Sequence, residues 1–114
     1  MRVESIQGVE GVLSVRCTGT VGIGTESTFS MRPLGDAIAT WRREHPGEAV
    51  REVEVDFREV DYLWGDAPVA CLIPFLRNGV QSIRLLAGAN SASALESLLA
   101  ATKLPGFSVQ RAGA

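Results

Sequence analysis

The sharpest feature of the chain is a change of hydrophobic period near its middle. Val53, Val55 and Phe57 alternate with Glu54 and Asp56, the spacing of a strand with one buried face. Past a polar interval the spacing changes, because Val69, Leu72, Ile73 and Leu76 fall at i, i+3, i+4 and i+7, one stripe of a helix. Asp66 offers that helix an N-cap, and Asn78 with Gly79 ends it. The unit reads strand, loop, helix. It sets the helix N-terminus, with its unpaired N–H groups and positive dipole end, beside the carboxyl end of the strand.

The same two periods alternate on either side. A weak strand at residues 3–6 leads into the turn Gly8-Val9-Glu10-Gly11, and Leu13, Val15 and Cys17 then share a strand face against Ser14 and Arg16, which predicts a hairpin. Residues 18–28, rich in Gly, Thr and Ser, read as a flexible connection. Gly22-Ile23-Gly24 lacks the third glycine and the lysine of a phosphate-cradling loop. A first helix follows, with Pro33 in its first turn, Leu34, Ala37, Ile38 and Trp41 on its stripe, and Pro46-Gly47 at its end. Arg42, Arg43 and Glu44 form a solvated helix terminus.

The next strand covers residues 51–57, and Pro74 inside the helix after it predicts a kink near Ala70, at about 3 kcal/mol for a regular interior. Ile83, Leu85 and Ala87 make a further strand against Arg84 and Leu86. Asn90 or Ser91 then caps a last helix, in which Ser93 and Glu96 are spaced as a capping box and Ala92, Leu95, Leu98 and Leu99 form the buried stripe. Leu104-Pro105-Gly106 stops it, and Phe107 with Val109 closes the chain as a short strand.

The order is ββαβαβαβ, an α/β domain with a mixed sheet of about five strands and about three helices over residues 1–114. Strands separated by helices run parallel with right-handed crossovers, and the hairpin adds antiparallel edge strands. Since the strands alternate, one sheet face is better covered than the other.

Composition narrows the chemistry. With 46% hydrophobic and 21% charged residues and a net charge of −2, the chain reads as a soluble domain without the basic runs that steer toward nucleic acid. No apolar run approaches a membrane span, and the first residues lack a signal-peptide core. The expected location is therefore cytoplasmic, with no direct membrane insertion. Cys17 and Cys71 are too far apart for a metal knuckle and read as small buried hydrophobes, while His45 reads as a surface residue at a helix end. With one histidine, no GxSxG and no HExxH, no catalytic residue, cofactor or metal is expected. Glu59, Asp61 and Asp66 read as solubilising and capping carboxylates.

The segment DFREVDYLWGDAPVACL, residues 56–72, resembles the phosphosite region of the STAS domain, the module of bacterial anti-sigma factor antagonists and of sulfate-transporter tails. There an Asp-Leu-Ser-x-Val strand end leads through an Asp-Ser-Ser-Gly loop into a helix. Asp56, Val60 and Leu63 fall on the family's Asp, Val and hydrophobic positions. In the loop, Trp64 takes the Asp position, Gly65 the first Ser, Asp66 the second and Ala67 the Gly, so an aspartate stands where the family is phosphorylated. The element order resembles that family over about a hundred residues as well.

The resemblance implies a STAS-like, non-catalytic interaction module that docks a protein partner, an anti-sigma factor or kinase-like ATPase. The docking residues would be Tyr62, Trp64, Gly65, Asp66 and Ala67. It leaves homo-oligomerisation open. The serine phosphoswitch is then absent or altered, since no Ser, Thr or His lies between Arg58 and Gln81. Two readings of Asp66 stand side by side, a plain helix cap and a mimic of the phosphorylated state. Tyr62 and Trp64, read as members of one loop, are either an exposed anchor or partly folded back over the sheet edge. An alternative implication is an accessory or sensor subunit of a transporter complex. It would bind a nucleotide or lipid near residues 61–67, with an apolar cavity between the last helix and the sheet.

Overall fold

The computed structural model describes residues 1–21, 25–62, 67–89 and 91–111, with side chains at all of these except 21, 25–30, 62, 67 and 68. Its elements follow the expected order: β1 (Arg2–Val9), β2 (Val12–Val21), α1 (Thr25–Glu44), β3 (Glu52–Tyr62), α2 (Ala67–Arg77), β4 (Ser82–Ala87), α3 (Ala92–Thr102) and β5 (Phe107–Arg111). The strands lie side by side in sequence order, with β1 antiparallel to β2 and every later pair parallel. Right-handed crossovers that always step in the same direction carry all their helices to one face.

Burial shows that face directly. Leu13, Val15 and Cys17 of β2, Val53, Val55 and Phe57 of β3, and Ile83, Leu85 and Ala87 of β4 form one buried core with Leu34 and Ile38 of α1, Leu72 of α2 and Leu95 of α3. The alternating positions on the other side, Leu86 apart, are polar and carry ion pairs along and between strands. Arg84 pairs with Glu54 and lies 3.7 Å from Glu52, and Arg58 meets Asp56 at 2.6 Å. Hydrogen bonds from Arg58 hold the Asp56 carboxyl below its ordinary pKa. One covered face and one open, ion-paired face is the arrangement that the period of two requires.

Three boundaries differ from the sequence reading. Residues 18–28 are not one loop, because β2 continues to Val21, paired with β3 from Thr18↔Glu59 to Val21↔Tyr62, and α1 begins at Thr25. Pro33 therefore lies inside α1 and not in its first turn. Met31, only 1% exposed, extends the buried stripe one turn upstream of Leu34.

The second difference is in β3, which runs five residues beyond the expected end at Phe57. Its register against β2 shifts between Arg16↔Asp56 and Thr18↔Glu59, a bulge that gives β3 one extra residue. Phe57 and Val60 both face the core as a result, with exposed Arg58 and Glu59 between them. A strict alternation ends at Glu59, so the bulge hides the rest of the strand from a period-of-two reading.

The third difference is at α3. Ser91 holds the N-cap position without a side-chain capping bond, and Ser93 lies within the helix. Glu96 is bound to Arg111 of β5 at 2.6 Å, so no capping box forms. By contrast α2 ends as its sequence suggests. Gly79 has φ +100°, Val80 N donates to the Phe75 carbonyl at 3.0 Å, and Arg42 of α1 donates to the Asn78 carbonyl at 2.9 Å. Among the described residues no helix is long and apolar enough to cross a membrane.

Candidate functional site

Parallel topology brings the carboxyl ends of β2, β3 and β4 and the N-terminal ends of α1, α2 and α3 to one end of the sheet. Such an end collects helix dipoles and unpaired N–H groups, and in open α/β sheets it is where ligands and partners meet the fold. The proposed docking segment joins β3 to α2 there. Tyr62 is the last residue of β3 and Ala67 the first of α2. Trp64, Gly65 and Asp66 lie outside the described residues, as does Leu63.

The placement of Tyr62 corrects the sequence reading. It is not a loop neighbour of Trp64 but a strand residue in register with Val21. Asp61 likewise stands in β3, opposite Thr20, and Glu59 is held by Arg16 at 2.9 Å. These two carboxylates are strand residues, so neither caps α2.

What fixes the exit of β3 is a pair of residues that the sequence did not single out for this purpose. β4 ends at Ala87, opposite Phe57, which leaves the last part of β3 without a strand on that side. The turn between β4 and α3 takes its place. A Cβ at Gly88 would stand 2.8 Å from the Arg58 carbonyl oxygen, so only glycine permits this approach. Ser91 Oγ donates to the Val60 carbonyl at 2.7 Å in a buried setting. In the sequence Ser91 reads, with Asn90, as one of two candidate caps of the last helix. A hydroxyl donor next to a strand end that outruns its neighbour was the available signal, and the hidden bulge concealed it.

Neither cysteine is suited to nucleophilic work. Burial pushes the Cys17 thiol up to about 12, with the charge of Asp56 adding to the effect. Cys71 is half-buried between α2 and α1, its Sγ 3.4 Å from the Met31 carbonyl, and burial raises its thiol too. The neutral thiol of Cys17 is favoured in the fold, so its contribution to stability is complete below the unfolded value of about 8.5 and is lost as pH rises from there toward 12. Iodoacetamide at pH 8 is expected to label Cys17 only after denaturation. Mass spectrometry showing rapid labelling of the folded protein would contradict the burial argument.

His45 differs from its expected surface setting. It is half-buried just past α1, stacked on Trp41 with ring centroids 4.1 Å apart, and its Nδ1 lies 2.9 Å from the Trp41 carbonyl. This places it at the end of the sheet away from the carboxyl end of β3, where Trp41 also lies against Gly8. A cavity of about 270 Å³ opens at that same far end, among Val9, Glu10, Val12, Trp41, Glu48 and Val50. It is not the position at residues 61–67 or beneath α3 where a bound nucleotide or lipid was expected. Among the described residues no group of three His, Cys, Asp or Glu side chains is placed to hold a metal ion.

No protein-family profile matches the sequence, and no curated protein matches it. The fold does have a counterpart among solved structures. It is similar to that of the anti-sigma factor antagonist SpoIIAA in its unphosphorylated form, with a TM-score of 0.59 and 14% sequence identity over 95% of this chain and 88% of that one. The five-stranded mixed sheet covered on one face by three helices is accordingly a STAS fold.

Proposed function

We propose that this chain is a non-catalytic interaction module of the anti-sigma factor antagonist type. It docks an anti-sigma factor or kinase-like ATPase through Tyr62, Trp64, Gly65, Asp66 and Ala67, with the serine phosphoswitch absent or altered. The observation that carries this is the likeness to SpoIIAA over 95% of the chain, combined with a β3-to-α2 connection at the carboxyl end of the sheet. Rigid elements flank that connection on both sides, as a recognition loop requires. The aromatic pair Tyr62 and Trp64 gives it the residue types that dominate binding energy at interfaces.

Asp66 decides how such a module is regulated. A carboxylate brings one negative charge and two acceptor oxygens, against about −1.5 to −2 and three for a phosphoserine, so it reproduces a phosphorylated loop only in part. As a cap it stabilises α2 by about 0.5–2 kcal/mol relative to alanine. Calorimetric titration of a purified kinase-like anti-sigma factor from the same cell, with wild type and Asp66→Ser, tests the reading. We expect wild type to bind and Asp66→Ser to alter the affinity and accept a phosphate from the kinase. Absence of binding by both forms would sink the proposal, and heat on titrating millimolar nucleotide instead would move it to the sensor-subunit reading. Unchanged binding without phosphorylation of Asp66→Ser would leave Asp66 a plain cap.

A further inference from the structure

We propose that the cavity at the amino-terminal end of β2 and β3 binds a small organic cation, an amine whose apolar body has about ten non-hydrogen atoms. Its volume of about 270 Å³ is that of roughly nine water molecules, at about 30 Å³ each in the liquid, which sets that size. It suits one small molecule better than a docked protein. Val9, at 57%, is the one exposed large hydrophobic residue among those described, so no apolar patch surrounds the opening.

The walls are already formed in the free chain. One is the β1–β2 turn, in which Val9 pairs with Val12 while Glu10 and Gly11 take φ of +52° and +84°. Asparagine or glycine is usual at the first place of such a turn, and glutamate there takes on the steric cost of the left-handed region. Arg51 N and Glu52 N both donate to the Gly11 carbonyl, at 2.8 and 3.2 Å, and tie the hairpin tip to the start of β3. Trp41 supplies a second wall. His45 stacks on its indole, and a side chain on Gly8 would collide with that ring, so glycine at this position keeps the wall in place. Val50, 7% exposed, adds buried apolar surface.

Charge sets the class of ligand. Glu10 and Glu48 belong to the lining, and no lysine or arginine stands among the described lining residues. Neither glutamate enters an ion pair among the described residues. The guanidinium groups closest in the chain are engaged elsewhere: Arg51 donates to the Glu10 carbonyl at 3.0 Å, Arg42 to the Asn78 carbonyl and Arg43 to the Thr40 hydroxyl. An ammonium group would pair with the two carboxylates while its apolar body fills the recess, whereas a nucleotide would meet like charge. The site lies at the opposite end of the sheet from the β3-to-α2 connection and does not rest on the docking function.

Phenethylamine, with 2-phenylethanol as the neutral body of the same shape, tests the assignment in the full chain by amide chemical shifts at low ionic strength. The amine is expected to saturate with a Kd on the order of 1 mM, shifting the amides of residues 8–12 and 48–50 together with the Trp41 indole N–H. The alcohol should bind about five-fold more weakly or worse, as should the amine to a protein carrying Glu10→Gln and Glu48→Gln. If that double variant does not fold, Glu48→Gln alone, on an exposed connection, should weaken the amine about two-fold or more. Absence of a saturable shift, a shift centred elsewhere, equal binding of alcohol and amine, or an affinity unchanged by the glutamine variants would each overturn the proposal. Tighter binding of Nα-acetyl-lysine methylamide than of phenethylamine would overturn it in favour of a partner protein's lysine.

Discussion

Phe57→Ala is expected to lower the free energy of unfolding by about 3–5 kcal/mol, the largest stability effect of a single truncation in this chain. Phe57 heads the fully buried side chains in size and is 0% exposed. It also occupies the last rung on which β3 is paired with β4, opposite Ala87, just where the bulge against β2 begins. The neighbouring core cannot close over the vacated volume. Ala87 has no longer side chain to offer, and Val53, Val55 and Val60 are fixed by strand register. The cost should therefore lie toward the upper part of the range for a phenylalanine truncation. Urea unfolding would show it as a drop in midpoint at constant m-value. Phe57→Leu, which keeps most of the volume, should cost markedly less. A loss below about 1 kcal/mol for the alanine variant would mean that Phe57 does not fill the core as described.

The same region shows where the sequence was readable and where it was not. The alternation of Val53, Val55 and Phe57 and the helical stripe around Leu72 were strong because each element keeps one buried face against a single core. That logic sufficed for the element order and for parallel pairing. It stops working where the backbone departs from a constant period. The extra residue in β3 moves Val60 onto the buried side three positions after Phe57, and alternation then looks like the start of a loop. Met31 extends α1 upstream of a proline that sequence rules place at a helix start. For Ser91, local preference pointed to a cap while a tertiary demand from Val60 took the hydroxyl elsewhere. Of the candidate site, the succession of β3 and α2 was legible, whereas the true end of β3 lay behind the bulge, and Gly88 and Ser91 act across 30 residues or so of intervening chain and leave no local trace.

If the chain docks an anti-sigma-type partner as proposed, Trp64→Ala is expected to weaken that docking at least about 30-fold, the equivalent of the 2 kcal/mol that marks an interface anchor. Position and residue type single Trp64 out. In this chain Trp64 is one of two tryptophans, and it lies between the end of β3 at Tyr62 and the start of α2 at Ala67. The other, Trp41, is engaged with Gly8 and His45 at the far end of the sheet. An anchor and a core residue respond differently to truncation. If Trp64 serves the partner, unfolding free energy stays within about 0.5 kcal/mol of wild type while the affinity collapses. A Trp64 folded into the monomer instead loses stability and affinity together, as a buried aromatic truncated to alanine does. Acrylamide quenching of a Trp41→Phe protein supplies the independent check, since Trp64 is then the sole indole emitter. Strong quenching that disappears when the partner is added is the expected result, and an emission shielded in the free protein would make the anchor untenable.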